Sequence, residues 1–471
     1  MSRSRGSRRF TLDARTFLRG VSTSEETQDG GFSPASKGVQ IFVTAGLVHA
    51  GAAFSNEWTA AIQSNGYFAF TNWHTTVSPG LGRALSSNAS FDGYFYSLND
   101  TSGQPTLEAT DTGRDYKPGI SDMLKYGTSI LTTSTANVAL SDFDYSTNDF
   151  TWWTVTRGHA ALSTNPIWHG LVEYGGIVYI ADGRYLHSWD GTTSTTQVLD
   201  LPAGMSITSM TVHNNLLTIS AEFYFDNLAG NYYRGSKIFT WDGFSPSWLS
   251  EADVNERIDT LVSEGGVLFV TTPRFFGYFN GVSIVPIREL TTQVRKYQIT
   301  SARDRIYIAQ GSDVLCYGNP ILGRPRVFSY PMKFSATISS LFAYRDGHLT
   351  GSSTTSAIHC TDIDGVGGTS AIMYSDKIPL EYSHIRHVEI ETTTMASGDS
   401  FALAYVDSKG TTRTIDTFSF ATHGAKSFIG FDILNGVPTY ICQMKLTIVG
   451  VAGFRRMHVY YDPTERPASR S

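Results

Sequence analysis

Charge is scarce in this chain. Asp, Glu, Lys and Arg make up 17% of its 471 residues, against roughly 25% in an average soluble protein. The 36 basic and 42 acidic residues leave a net charge of −6, which excludes a molecule that wraps nucleic acid in a basic surface. Cysteine is almost missing. Cys316, Cys360 and Cys442 lie far apart, which excludes a disulfide framework and a zinc motif, and an odd count fits free thiols in a reducing compartment. No run approaches the roughly 18 apolar residues of a membrane-spanning helix. No apolar segment follows the Arg-rich stretch Met1–Phe10, so it does not read as a secretory signal. Helical stripes are missing too. The best helix candidate is 250–258, with Ser250 as N-cap and Glu251 and Asp253 in the first turn, a placement that suits the helix dipole.

Ser, Thr and Gly occupy the place of the missing charge, and 13% of the residues are aromatic. That mixture favours strands and turns. It also fits a surface covered by partners, since protein interfaces are depleted in Lys, Glu and Asp. Exposed strand faces rich in Ser and Thr explain it equally well.

A unit repeats along the chain. Short apolar runs follow the turn pairs Gly175-Gly176, Asn214-Asn215, Gly265-Gly266 and Asp304-Arg305. Each is followed by a second turn: Trp189-Asp190-Gly191, Trp241-Asp242-Gly243, Phe279-Asn280-Gly281 and Tyr317-Gly318-Asn319. From Gly176 to Asp190, from Gly266 to Asn280 and from Arg305 to Asn319 the spacing is 14 residues. The second unit carries an insertion rich in Tyr, Asn and Gly, from Phe223 to Gly235. Positions 127, 176, 215, 266, 305 and 347 recur every 39 to 51 residues, the period of four-stranded propeller blades. The expected fold is all-β: an irregular propeller of six or seven blades over 46–375. It is preceded by an extended basic and polar arm (1–45) and followed by a jelly-roll-like β-sandwich (376–463) and a flexible tail (464–471).

The chemistry on offer is thin. A glycosidase propeller needs two carboxyl groups across the sugar. Asp142, Asp144, Glu173, Glu222 and Glu251 are available, and nothing in the sequence pairs them. Most aspartates precede Gly or sit in polar turns, where they cap backbone. Ser146–Trp153 resembles a sialidase Asp-box hairpin, but Phe150 stands where that turn needs Gly. Asp362-Ile363-Asp364-Gly365 could open a calcium loop, yet the later ligands are missing. No nucleophile elbow or phosphate loop is present. Cys316 and Cys442 read as small buried hydrophobes, and His213 and His348 as structural. The aromatic of Trp-Asp-Gly could stack on sugars, but its recurrence at equivalent positions favours packing between blades. Arg3, Arg5, Arg8 and Arg9 could neutralise phosphates or dock on an acidic neighbour. No catalytic, cofactor-binding or metal-binding residue is assigned, and no enzyme activity is expected.

The layout resembles the tail nozzle and tail accessory (packaged-DNA stabilisation) proteins of tailed bacteriophages. The resemblance is carried by Phe32–Phe42 with Ala45–Val48, by the irregular blades with Trp-Asp-Gly turns, and by Asp376–Leu380, Val388–Glu391 and Tyr405–Asp407. It spans about residues 30–460, and the Arg-rich start departs from it. It implies a structural virion protein: a ring of copies, expected as a hexamer, below the portal and adaptor. The ring would contact tail fibre or spike proteins, hold packaged DNA and release it, in a tail assembled in the bacterial cytoplasm without membrane insertion. The alternative is a carbohydrate-binding or glycan-degrading propeller, such as a receptor-binding module. A third reading is a cytosolic interaction scaffold.

Overall fold

The computed structural model describes residues 8–13, 36–43, 47–51, 55–58, 68–71, 80–86, 94–99, 105–106, 120–126, 129–134, 141–146, 155–162 and 168–464, except 227–231, 295, 321–324, 335–336, 344–347, 354–357, 369 and 434–435. Among these residues, seven four-stranded antiparallel sheets form. Five are contiguous in sequence and span 120–162, 171–200, 205–254, 260–289 and 299–333. A sixth spans 68–106. The seventh takes three strands from 338–362 and its last from Ser55–Trp58, with Ile358 opposite Trp58 and Cys360 opposite Ser55. The fold is therefore a β-propeller, and the sheet at 68–106 decides for seven blades over six.

Contacts group the chain into two compact units. One comprises 55–312 with 336–360, the other 1–54 with 313–335 and 361–471. In the first unit the seven first strands form a closed circle. Phe68–Thr71, Ile120–Tyr126, Leu171–Tyr174, Met205–His213, Thr260–Glu264, Ile299–Ala302 and Ile338–Ala343 each neighbour the next, and the last returns to the first.

The apolar runs have a reason in this circle. A strand sandwiched between two neighbouring blades is buried on both faces and reads as continuous hydrophobe. In Ile177–Asp182, Val178 and Ile180 pack toward Leu131 and Leu162 of the preceding blade, with Trp189 beside them. Tyr179 and Ala181 pack toward Leu217, Ile219 and Trp241 of the following blade. Trp189 and Trp241 are each 2% exposed. Trp189 lies 5.4 Å from Tyr126, and Trp241 meets Tyr179 edge-on at 5.3 Å. Both aromatics thus pack between blades.

The turns follow their sequence. Gly175 and Gly176, Gly265 and Gly266, and Asn214 and Asn215 all have positive φ, as hairpin turns that match the strand twist require. In the fourth unit the turn falls on Arg303 and Asp304, at φ 53° and 58°, one residue before the expected pair. Its strand Arg305–Gln310 then aligns with Ile177–Asp182, and Gly318 takes the place of Asp190. The second turn is held by its Asx side chain. Asp190 Oδ1 accepts from the backbone of Thr192 and Thr193, Asp242 Oδ1 from Phe244 and Ser245, and Asn280 Oδ1 from Val282 and Ser283. These bonds hold the Asp190 and Asp242 carboxyls below their ordinary range.

The expected helix at 250–258 is not there. Ser250–Val254 is a strand paired with Ser236–Thr240, and Lys237 binds Glu251 at 2.9 Å and Asp253 at 3.1 Å. Period-2 spacing places both acids on the face that Lys237 occupies, so cross-strand pairing overrides the local capping signal.

The second unit is built on an eight-stranded sheet. Ile378–Thr392 passes from one half to the other. Its first residues pair with Thr439–Val449, and 383–392 pair with Phe454–Pro463. The register shifts between these stretches, where Tyr382 has φ 41°. Buried residues alternate along the strands, as in Ile385, Val388 and Ile390, Phe401 and Leu403, Leu446 and Ile448, and Met457 and Val459. This is the pattern of a sheet with one face in a core. The boundary expected at 375/376 falls after Ala371–Tyr374, a strand of this same sheet. The stretch expected as an irregular arm also enters this unit. Val39 and Gln40 pair with His49 and Ala50, Lys37 bridges to Ile372, and Ser36, Val39, Gln40 and Ile41 are buried. Arg8–Asp13 forms a strand at the sheet edge, against Phe454–Pro463.

Candidate partner interface

The edge strand brings Arg8 and Arg9 to a defined surface. Arg8–Asp13 pairs in register with 456–461, from Arg8 opposite Tyr461 to Asp13 opposite Arg456. Alternation sends Phe10 and Leu12 toward Val459 and Met457, on the buried side, and Arg9 and Thr11 outward.

Two cross-strand rows then cover the outer face. The first runs Arg9, Tyr460, His387, Asp432 and the second Thr11, His458, Glu389, Gly430. Arg9 stands over the Tyr460 ring at 6.0 Å, Tyr460 lies 5.6 Å from His387, and His387 Nδ1 is 2.7 Å from Asp432. In the second row Thr11 meets His458 at 2.8 Å. The Tyr460 hydroxyl joins the rows by donating to Glu389 at 2.8 Å. Beside them Glu391 binds Arg456 at 2.7 Å and Arg455 at 3.6 Å. Gly430 makes room for the His387 ring, because a Cβ there would lie 2.8 Å from it. The result is a hydrogen-bonded polar face of both signs.

Arg8 binds Glu381 at 2.8 Å, with both side chains largely in solvent. Such a pair contributes little stability, and a phosphate would have to displace Glu381. Arg9 faces an aromatic ring, and no carboxylate among the described residues pairs with it. It is the arginine of this strand best placed to meet an anion or an acidic partner. Arg3 and Arg5 lie outside the described residues.

The carboxylates offered by the sequence are not brought together as an acid and base. Glu173 is exposed on Leu171–Tyr174, and Glu251 is held by Lys237. Glu222 is 3.5 Å from Arg257, which also binds Asp259 at 2.9 Å. Asp259 in turn accepts from Gln293. One guanidinium is therefore shared by two carboxylates. Asp142 and Asp144 lie on Ser141–Ser146, with side chains outside the description. The Asp-box-like segment joins this strand to Val155–Leu162, and 147–154 are not described.

One buried cluster was not legible in the sequence. His187 Nε2 donates to Asp182 at 3.1 Å, and His187 Nδ1 accepts from Gln197 N. The second bond leaves Nε2 as the nitrogen that faces Asp182 as a donor. His169 Nδ1 lies 2.9 Å from Ala181 O and 3.6 Å from Asp182, while Thr133 donates to His169 O. Thr133, His169, Asp182 and His187 are buried, and the cluster fastens the loop before Leu171 to two blades. Its signal would have been Asp182 at the end of an apolar strand, five residues before a histidine.

Among the described residues no group of three or more His, Cys, Asp or Glu has a metal-binding arrangement. The Asp364 turn follows Ile363, which is fully buried. Cys316 and Cys442 are buried, and burial pushes the Cys442 thiol up. His213 meets Ser263 at 3.0 Å, and His348 begins the strand His348–Ser353. No helix among the described residues is long and apolar enough to cross a membrane.

No family model matches the chain, and no curated protein sequence matches it. Solved structures share its fold faintly. A streptogramin B lyase is 12% identical with a TM-score of 0.43, over 64% of this chain and 96% of that one. Sqt1 of Saccharomyces cerevisiae is 10% identical with a TM-score of 0.41, over 68% and 91%. An exo-β-1,3-galactanase of Phanerochaete chrysosporium solved with galactose is 9% identical with a TM-score of 0.32, over 87% and 100%. Likeness at this level bears on neither activity nor substrate.

Proposed function

We propose that the chain is a structural building block of a bacteriophage tail, one copy of a ring below the portal and adaptor that lines the DNA path. The observation that carries this reading is the strand Arg8–Asp13, added to a sheet edge by backbone pairing, with Arg9 turned outward. Strand addition is a recurring means by which one chain grips another. The low charged fraction of the chain is in keeping with faces covered by neighbours. Mass measurement of the purified chain, with negative-stain microscopy, tests the proposal. Rings of several copies are expected. A chain that stays monomeric at high concentration and turns over saccharides overturns it.

One observation favours a second reading. Glu222 and Asp259 share Arg257, and an arginine between two carboxylates can also hold the hydroxyls of a sugar. A glycan array probed with the wild type and Arg257→Ala tests it. Binding that is lost in the variant supports a carbohydrate-binding propeller, and an array with no signal removes that reading.

A further inference from the structure

We infer that Arg8–Asp13 is a donor strand exchanged between copies of this chain, each copy completing the sheet edge of its neighbour. The inference rests on the ring reading and names the contact that joins the copies.

The edge that receives the strand is demanding. Without it, Phe454–Pro463 would present unpaired N–H and C=O groups along an open edge, a template for any extended segment. Six consecutive residues fill that edge in register. Side chains add little to the grip. Arg8 and Glu381 pair in solvent, Arg9 and Thr11 are exposed, and Phe10 and Leu12 are only half-buried. Recognition thus lies mostly in the backbone ladder, and the same six residue pairs form whichever copy supplies the strand.

The chain length permits both sources. Residues 14–35 separate the strand from Ser36, a stretch whose extended length is roughly 70 Å. That reach includes the edge of an adjacent copy. Linked binding partners in general meet at effective concentrations in about the millimolar range. A neighbour fixed in a ring offers its edge at a similar concentration. Exchange loses no contact, because donor and acceptor are identical in every copy. It adds a mechanical link between copies that intrachain pairing does not provide.

Paired cysteines test this. Thr11 Oγ1 and His458 Nδ1 are 2.8 Å apart on directly opposed residues; Cys316 and Cys442 are buried, and every variant carries Cys360→Ser to remove the third native thiol. A single chain carrying Thr11→Cys and His458→Cys should cross-link under mild oxidation, which establishes the register. Two differently tagged chains, one with Thr11→Cys and the other with His458→Cys, are then co-expressed and oxidised. Exchange yields a covalent heterodimer containing about half of each chain when the copies mix at random. Rings that form without that heterodimer overturn exchange and leave the ring reading intact. Monomers without it overturn both. Failure of the doubly substituted chain to cross-link overturns the strand pairing itself.

Discussion

Glycine is required in this chain for two different reasons. Gly176 has φ 76° with open space around it, so a methyl there meets no atom within 4 Å. Gly176→Ala should therefore destabilise the propeller only through backbone strain, by about 1 kcal/mol, read by chemical denaturation. Gly51 is the opposite case. A Cβ there would lie 1.6 Å from Pro331 O, so Gly51→Ala should lower the unfolding midpoint of its unit far more. Equal effects of the two variants would contradict this account. Titration acts at the same scale. Burial lowers the pKa of His49 from its ordinary 6.5, against a weaker opposing bond from Val451 O. The unfolded chain then binds the proton more tightly. The contribution is complete above about pH 6.5 and is lost as pH falls through the lowered folded value. The thermal midpoint should drop across that window, and His49→Gln should flatten the drop. Parallel pH profiles for the two proteins would reject the assignment.

Elements cohere through contacts that the repeat period announces only in part. Tyr126 donates to Gly176 O at 2.5 Å, and Tyr174 to Asn215 O at 2.8 Å. Tyr126→Phe and Tyr174→Phe should each cost about 1 kcal/mol in denaturant. Trp241→Ala should cost about 3–5 kcal/mol, as a large aromatic removed from a packed core. A Trp241→Ala midpoint within error of wild type would refute its packing role. The sequence showed these features because each is local: a turn pair, an apolar run, an Asx-Gly turn. Ser250–Val254 was misleading because its partner, Ser236–Thr240, decides its conformation. The pair Arg303 and Asp304 was displaced by one residue, since Arg303 carries no side-chain signal for positive φ. The edge strand Arg8–Asp13 and the closing strand Ser55–Trp58 were hidden more deeply. Their partners lie hundreds of residues away, and no local pattern encodes such a pairing. The His169, Asp182 and His187 cluster was missed because it draws on a loop, a strand end and the next strand of one blade.

The whole molecule depends on distant closures. Ser55–Trp58 completes the sheet of 338–362, and the circle of first strands returns to Phe68–Thr71 only through Ile338–Ala343. Non-local pairing must be assembled against loop entropy before it contributes stability. A chain ending at residue 337 would leave two blade faces bare and the closing strand without its sheet. It should aggregate on expression, as measured by light scattering of the soluble fraction. A soluble monomer with native-like circular dichroism would refute the closure argument.

The handshake between first strands has a direction. Tyr126, Tyr174, His213 and Glu264 each end a first strand, and each makes a hydrogen bond forward, to the blade that follows in sequence. The two tyrosines ask only for a backbone carbonyl, which any turn supplies. His213 asks for the Ser263 hydroxyl, and Glu264 asks for the backbone N–H of Asp304. The blades are thus words in a fixed sentence: duplication or reshuffling is grammatical after a tyrosine, and is refused after His213 unless a hydroxyl stands in the next place.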